Sequence, residues 1–129
     1  MIGYVTVGTN DLARAAQFYD GLLDHVGEKR LIDTAGLVGW GKSWEQPIFA
    51  VATTTDGSPA TPGHGAVVAL VQGSRKAVDR LHAKALGLGA VDDGAPASRG
   101  EEGDQIFYAG YVRDLDGNRL CLFHLGEKS

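Results

Sequence analysis

Residues 107–124 read FYAGYVRDLDGNRLCLFH and hold the side chains best suited to chemistry: Tyr111, Arg113, Arg119 and the single cysteine, Cys121. The DLDGN segment suits a type I turn followed by a glycine bulge, the common three-residue hairpin loop. That register pairs Asp114 with Asn118, Arg113 with Arg119 and Tyr111 with Cys121, and alternation places Tyr111 and Cys121 side by side on one face. A thiol becomes a nucleophile when a cation or a helix N-terminus holds it as thiolate. A free cysteine between two leucines more often serves as a small buried hydrophobe. We read Cys121 as lining a pocket without doing chemistry. Two facing arginines cost stability unless something negative lies between them, which an anionic ligand held by two guanidinium forks would supply. Asp114 and Asp116 are nearer at hand and long arginines reach water easily, so the simpler reading is a solvated pair.

The other candidates are scattered. His64 lies two residues before Ala66. If a strand reaches that far, both point the same way, and the imidazole could serve as acid–base group or as a displaced metal ligand. A histidine in a Gly-rich stretch is more often simply solvated. His25, His82 and His124 fall at a helix end, a helix face and the outer face of a strand, and receive no role. Tyr4 can hydrogen-bond a ligand through its phenol while its ring packs. Trp40, Trp44 and Phe49 either line a pocket or pack against a second subunit.

The elements that must position these groups follow from periodicity. "IGYVTVG" (2–8) reads as a strand. The next stretch carries Leu12, Ala15, Ala16, Tyr19, Leu22, Leu23 and Val26 at helical spacing, with Thr9 or Asn10 as cap and Gly27 as stop. Short strands are expected in "EKRLIDT", "GLVGWGK" and "PIFAVAT", then a polar Gly/Pro linker. The order repeats: a strand at 66–72, a helix capped by Ser74 with Ala77, Val78, Leu81 and Ala85 on its buried face, a short strand near 90–93, a charged loop at 96–105, and a hairpin at 106–125. The halves align at a shift of 62 residues, as in Val5 and Val67, Tyr19 and Leu81, or Gly27 and Gly89. This argues for an internal βαβββ duplication. We expect one domain: a first module at 1–53, a linker at 54–65 and a second module at 66–129. "RGEEGD" (99–104) is either a mobile lid or a solvated loop.

Composition excludes several classes. A net charge of −4 without a basic stripe argues against nucleic acid. No apolar run is long enough to span a bilayer, so no membrane role is expected. A lone cysteine fits a reducing compartment, and the chain opens directly into a strand without a charged leader, so the expected setting is cytoplasmic.

With its element order and the segments "VTVGTNDLARAAQFYDGLL" and "YAGYVRDLDGNRLCLF", the chain resembles the vicinal oxygen chelate superfamily. That group includes lactoylglutathione lyases, extradiol dioxygenases and bleomycin-resistance proteins. The resemblance implies an α+β fold of two tandem βαβββ modules whose mixed sheets curve into a cup, and often a homodimer. It implies further that metal-using members place four ligands in the cup, typically His or Gln, Glu, His and Glu. Carried over, the first position is Tyr4, the third its repeat mate Ala66 and the fourth Cys121. The second falls in 47–53, which holds no Asp, Glu or His. A hard divalent metal needs several N/O donors, so no metal and no cofactor are expected.

Three functions stay open. The first is a metal-free binding protein that encloses a small hydrophobic or aromatic molecule against Tyr4, Phe49, Ala66, Val68, Tyr111, Cys121 and Phe123. The second is an enzyme of the same superfamily, a lyase, isomerase or dioxygenase, in which His64, Cys121 and Glu45 would have to converge. The third is an interaction module whose cup has filled with side chains. The small residues Ala66 and Cys121 leave room and favour the first.

Overall fold

The alternation of Val5 and Val7 with Tyr4 and Thr6 becomes strand β1 (Tyr4–Gly8) in the computed structural model, which describes residues 1–127 and gives Glu102 by its backbone alone. Residues 128 and 129 of the expected second module lie outside the described residues. The first unit continues with helix α1 (Leu12–Asp24), β2 (Arg30–Asp33), β3 (Leu37–Trp40) and β4 (Ile48–Ala52). Its sheet runs β1-β4-β3-β2, with β1 parallel to β4 and the remaining pairs antiparallel. The helix cap is Asp11, whose carboxylate accepts from Arg14 N at 3.1 Å, not Thr9 or Asn10 as expected. Asn10 is committed elsewhere: its side chain bonds both backbone groups of Ala60 and so pins the linker.

Helix α1 buries Ala15, Ala16, Phe18, Tyr19, Leu22 and Leu23. The Tyr19 ring lies 4.7 Å from that of Phe49 and 5.7 Å from that of Trp40. Trp40 keeps its indole N–H satisfied by donating to Asp20 at 2.9 Å, which a buried tryptophan requires. Arg30 donates to both oxygens of the same carboxylate, at 2.9 and 2.6 Å. That fork holds the Asp20 carboxyl below its ordinary range, with Trp40 assisting against the opposing effect of burial.

The second unit holds β5 (Val68–Val71), α2 (Arg75–Gly87), β6 (Val91–Glu102), β7 (Gln105–Arg113) and β8 (Arg119–Glu127), in the sheet order β5-β8-β7-β6. Ser74 caps α2 as expected, accepting from Ala77 N at 3.0 Å. Val78, Leu81, His82 and Ala85 are buried on its inner face. Beneath them Val112, Leu120 and Leu122 are fully buried. Gly110 lies there too: a Cβ on it would sit 3.0 Å from His82 Cδ2.

Two expectations are corrected. First, the internal repeat runs at 63 residues through its first strand and helix. The buried residues Ala15, Phe18, Tyr19 and Leu22 match Val78, Leu81, His82 and Ala85 at that offset. Only at the helix stops Gly27 and Gly89, both at positive φ, does the spacing return to 62. One residue matters because it moves a strand's side chains to the other face. Second, residues 96–105 are not a loop, and 99–104 is the end of a paired strand and its turn. Strand β6 runs to Glu102, turns at Gly103 and Asp104, and pairs with β7 as far as Glu102 with Gln105. Its register shifts at three places, and such bulges erase the alternation by which a strand is recognised.

By density of contact the chain divides into Met1–His64 with Leu115–Asn118, and Gly65–Asp114 with the residues from Arg119 onward. Within the first unit Asn118 donates to Gly8 O at 2.9 Å and Asn10 N donates to Asp116 at 3.0 Å. The DLDGN motif thus does structural work at the end of β1 and the start of α1. Among the described residues no helix is long and apolar enough to cross a membrane.

Candidate functional site

The β7–β8 hairpin has the register expected from its turn: Arg113 opposite Arg119 and Tyr111 opposite Cys121, then Ala109 opposite Phe123 and Phe107 opposite Leu125. Gly110, Val112, Leu120 and Leu122 face α2, so by alternation these four pairs occupy the other face. They form a row that grades from two guanidiniums, through a tyrosine and a cysteine, to two phenylalanines. The rings of Phe107 and Phe123 lie 5.3 Å apart. Ala109 and Cys121 are short side chains between tall ones. On β5, Ala69 is the partner of Cys121 and belongs to the same face.

Arg119 lays its guanidinium 4.1 Å from the centre of the Tyr111 ring, and Arg99 of β6 lies 5.3 Å from it. Such cation–π contacts are worth about 0.5–2 kcal/mol each, more as water is excluded. Arg99 is held down by two backbone carbonyls: its Nε donates to Ala109 O at 2.8 Å and its Nη2 to Ala95 O at 2.5 Å. Asp93 lies between the facing arginines and accepts from Arg119 Nε at 2.8 Å, with Arg113 Nε at 3.3 Å. A charge that relieves their repulsion is therefore Asp93, which the expectation of Asp114 and Asp116 had not included. The Arg119 hydrogen bond, more than any other influence, holds the Asp93 carboxyl below its ordinary range.

Cys121 is 4% exposed. Burial pushes its thiol up, and this outweighs the hydrogen bond with Tyr111 and the positive charge of Arg119 and Arg99, which act the other way. Tyr111 is likewise pushed up, chiefly by burial and then by Cys121. At neutral pH this face presents a neutral thiol, a neutral phenol and fixed cations. It is equipped to hold a molecule by stacking, apolar contact and charge. It has no activated nucleophile.

The other candidates are dispersed. Tyr4, 54% exposed, lies on the face of the first sheet away from α1. Phe49 is on the opposite face of that sheet, packed on Tyr19, and is a core residue. Ala66 precedes β5 and is exposed, while Val68 pairs with Leu120 and so turns toward α2. The repeat shift of 62 makes Ala66 the mate of Tyr4; the offset of 63 removes that link, and the pairing of Val68 with Leu120 takes Val68 off the wall. His64 is exposed in a turn of the first unit, and β5 begins four residues later, so no strand aligns it with Ala66. Glu45 and Trp44 lie in an exposed turn before β4. Among the described residues, no three His, Cys, Asp or Glu side chains come together as a metal site would need. Phe107 and Ala109 could have been found from the hairpin alternation. Arg99 and Asp93 could not, because the bulges of β6 hide which way they point.

A glyoxalase-like domain model matches residues 4–123, nearly the whole chain. The chain belongs to the glyoxalase-like family. This places it in the vicinal oxygen chelate superfamily. Among solved structures, this glyoxalase-like chain is 30% identical to a glyoxalase/bleomycin resistance protein from Albidiferax ferrireducens T118, with a TM-score of 0.83 over 96% of this chain and 98% of that one. A glyoxalase/bleomycin resistance protein/dioxygenase family enzyme from Burkholderia phytofirmans PsJN is 17% identical, with a TM-score of 0.75 over 95% and 96%. A lactoylglutathione lyase from Agrobacterium tumefaciens is 16% identical, with a TM-score of 0.67 over 96% and 92%. These last two are likenesses of fold. No curated protein matches the glyoxalase-like chain significantly.

Proposed function

We propose that this glyoxalase-like protein binds a small organic molecule with an aromatic or apolar body on the face of the second sheet away from α2, and does so without the family's metal. The observation that carries the reading is the row Tyr111, Cys121, Ala109 and Phe123, where short side chains alternate with rings along a hairpin. A planar ligand gains stacking on the half-buried rings of Tyr111, Phe107 and Phe123, while Ala109 and Cys121 form the buried floor between them. Tyr111, Cys121 and Phe123 stay in the proposed site; Phe49, Ala66 and Val68 leave it. Tyr4 remains a candidate contact on its own sheet.

The donor set does not fit a hard divalent cation. β4 offers Ile48 and Ala50 on the face it shares with Tyr4, and the second sheet offers Ala69 and Cys121. A phenol and a thiol pushed toward its protonated form replace the imidazoles and carboxylates that such an ion needs. A homodimer in a cytoplasmic setting belongs to the same proposal, supported by the family resemblance and the single free thiol.

Two measurements test this. Melting of the purified protein is followed with a panel of planar aromatic compounds, and a saturable upward shift is expected, since a ligand that binds only the folded state stabilises it by mass action. Native mass spectrometry of protein exposed to Ni, Zn, Mn and Fe(II) is expected to show no stoichiometric ion. A tightly held metal would replace this reading with metal-dependent chemistry, and a panel without a shift would end it.

A further inference from the structure

Resting on that reading, we propose that the ligand is an anion: a planar aromatic acid whose ring lies toward Tyr111 and Phe123 and whose carboxylate is taken up by Arg99 and Arg119. Arg119 has a carboxylate partner and Arg99 has carbonyl partners. Asp93 is one carboxylate engaged by two guanidiniums, Arg113 and Arg119. The partners of Arg99 are the carbonyls of Ala109 and Ala95. Carbonyls satisfy hydrogen bonds but do not cancel a charge. Arg99 and Arg119 border the same tyrosine ring, at 5.3 and 4.1 Å from its centre, so cationic character concentrates at one end of an otherwise apolar row.

This end is also preorganised. Backbone bonds fix Arg99, and Asp93 fixes Arg119 through Nε at 2.8 Å, so the Nη edge of Arg119 is oriented before any ligand arrives. A guanidinium held at Nε presents its Nη groups as the geometry for a planar carboxylate. The other end of the row, Phe107 and Phe123, has no polar group to offer. A ligand matching both ends needs an anionic head and an apolar body. A neutral aromatic leaves the arginines unanswered, and an inorganic anion leaves the rings uncovered.

The test compares naphthalene carboxylate with naphthalene carboxamide, equal in shape and different in charge, by calorimetric titration of the full chain. The carboxylate is expected to bind at least about tenfold more tightly, the scale of one charge-assisted hydrogen bond, and to weaken as salt rises. Arg119→Gln is expected to reduce that preference, with carboxylate binding falling more than carboxamide binding. Asp93→Asn gives the opposite sign: the amide oxygen can still accept from Arg119 Nε and orient it, but the competing charge is gone, so carboxylate affinity rises, which a misfolded variant could not imitate. Equal binding of the two probes, or an Asp93→Asn variant without the gain, overturns the inference while the binding reading survives. Binding of neither probe overturns both.

Discussion

Cys121 shows how a residue that invites a chemical reading is disarmed by its surroundings. Two arginines and a tyrosine hydroxyl favour its thiolate, yet burial dominates and the thiol is pushed up. Its alkylation by iodoacetamide at neutral pH is therefore expected to be at least about tenfold slower than that of free cysteine, with a rate that keeps rising above the ordinary thiol range. A fast reaction with a depressed midpoint would restore a catalytic role. Asp93 is the opposite case. Its folded-state carboxyl lies below the unfolded value, so its contribution to stability is complete above the ordinary carboxylate range, about pH 4, and is lost as pH falls through the folded value. Urea melts at near-neutral pH and at about pH 3 should show a smaller acid loss for Asp93→Asn than for the natural protein. Equal losses would show that Asp93 carries no such linkage.

At the scale of elements, helix α2 is set on its sheet by an absence. A Cβ on Gly110 would lie 3.0 Å from His82 Cδ2 and 3.1 Å from Pro96 Cγ, between a buried helix residue and a residue of β6. Gly110→Ala is expected to cost about 1–2 kcal/mol in urea unfolding: overpacking opposed by a small gain in strand entropy. Ser74→Ala, which removes the α2 cap, should cost about 1 kcal/mol in the same measurement. Most elements were legible because their patterns are local. The 3.6-residue period of Leu12 to Val26, the Ser74 cap and the DLDGN turn each need only neighbours in sequence. Of strand β6 only the start was legible, as the short strand near 90–93. Gly94, Pro96 and Gly100 read as loop, and only pairing with β7 makes them a bulged strand.

At the scale of the whole molecule, the hairpin tip is tied to residues far away in the chain. Asn118 and Gly8 are 110 residues apart and share one hydrogen bond at 2.9 Å. Asn118→Ala leaves that carbonyl without its donor and is expected to lower unfolding stability by about 1–2 kcal/mol, with the circular dichroism of the two helices retained. A variant as stable as the natural protein would show the tie to be incidental. The net charge of −4 also bears on the ligand. A negatively charged molecule that nonetheless takes an anion must do so through local arginines, so the salt dependence should be modest in slope and confined to charged probes.

By itself the sequence determined the duplicated βαβββ order, the hairpin register and the placement of Tyr111 beside Cys121. Those depend on periods of two and 3.6 residues and on turn chemistry, all of which are local. The tertiary structure alone decided which face Phe49 and Val68 present, that Asp93 stands between Arg113 and Arg119, and that Arg99 reaches Tyr111. Those depend on the one-residue difference in repeat offset and on three bulges, and neither leaves a trace until strands from distant parts of the chain lie side by side.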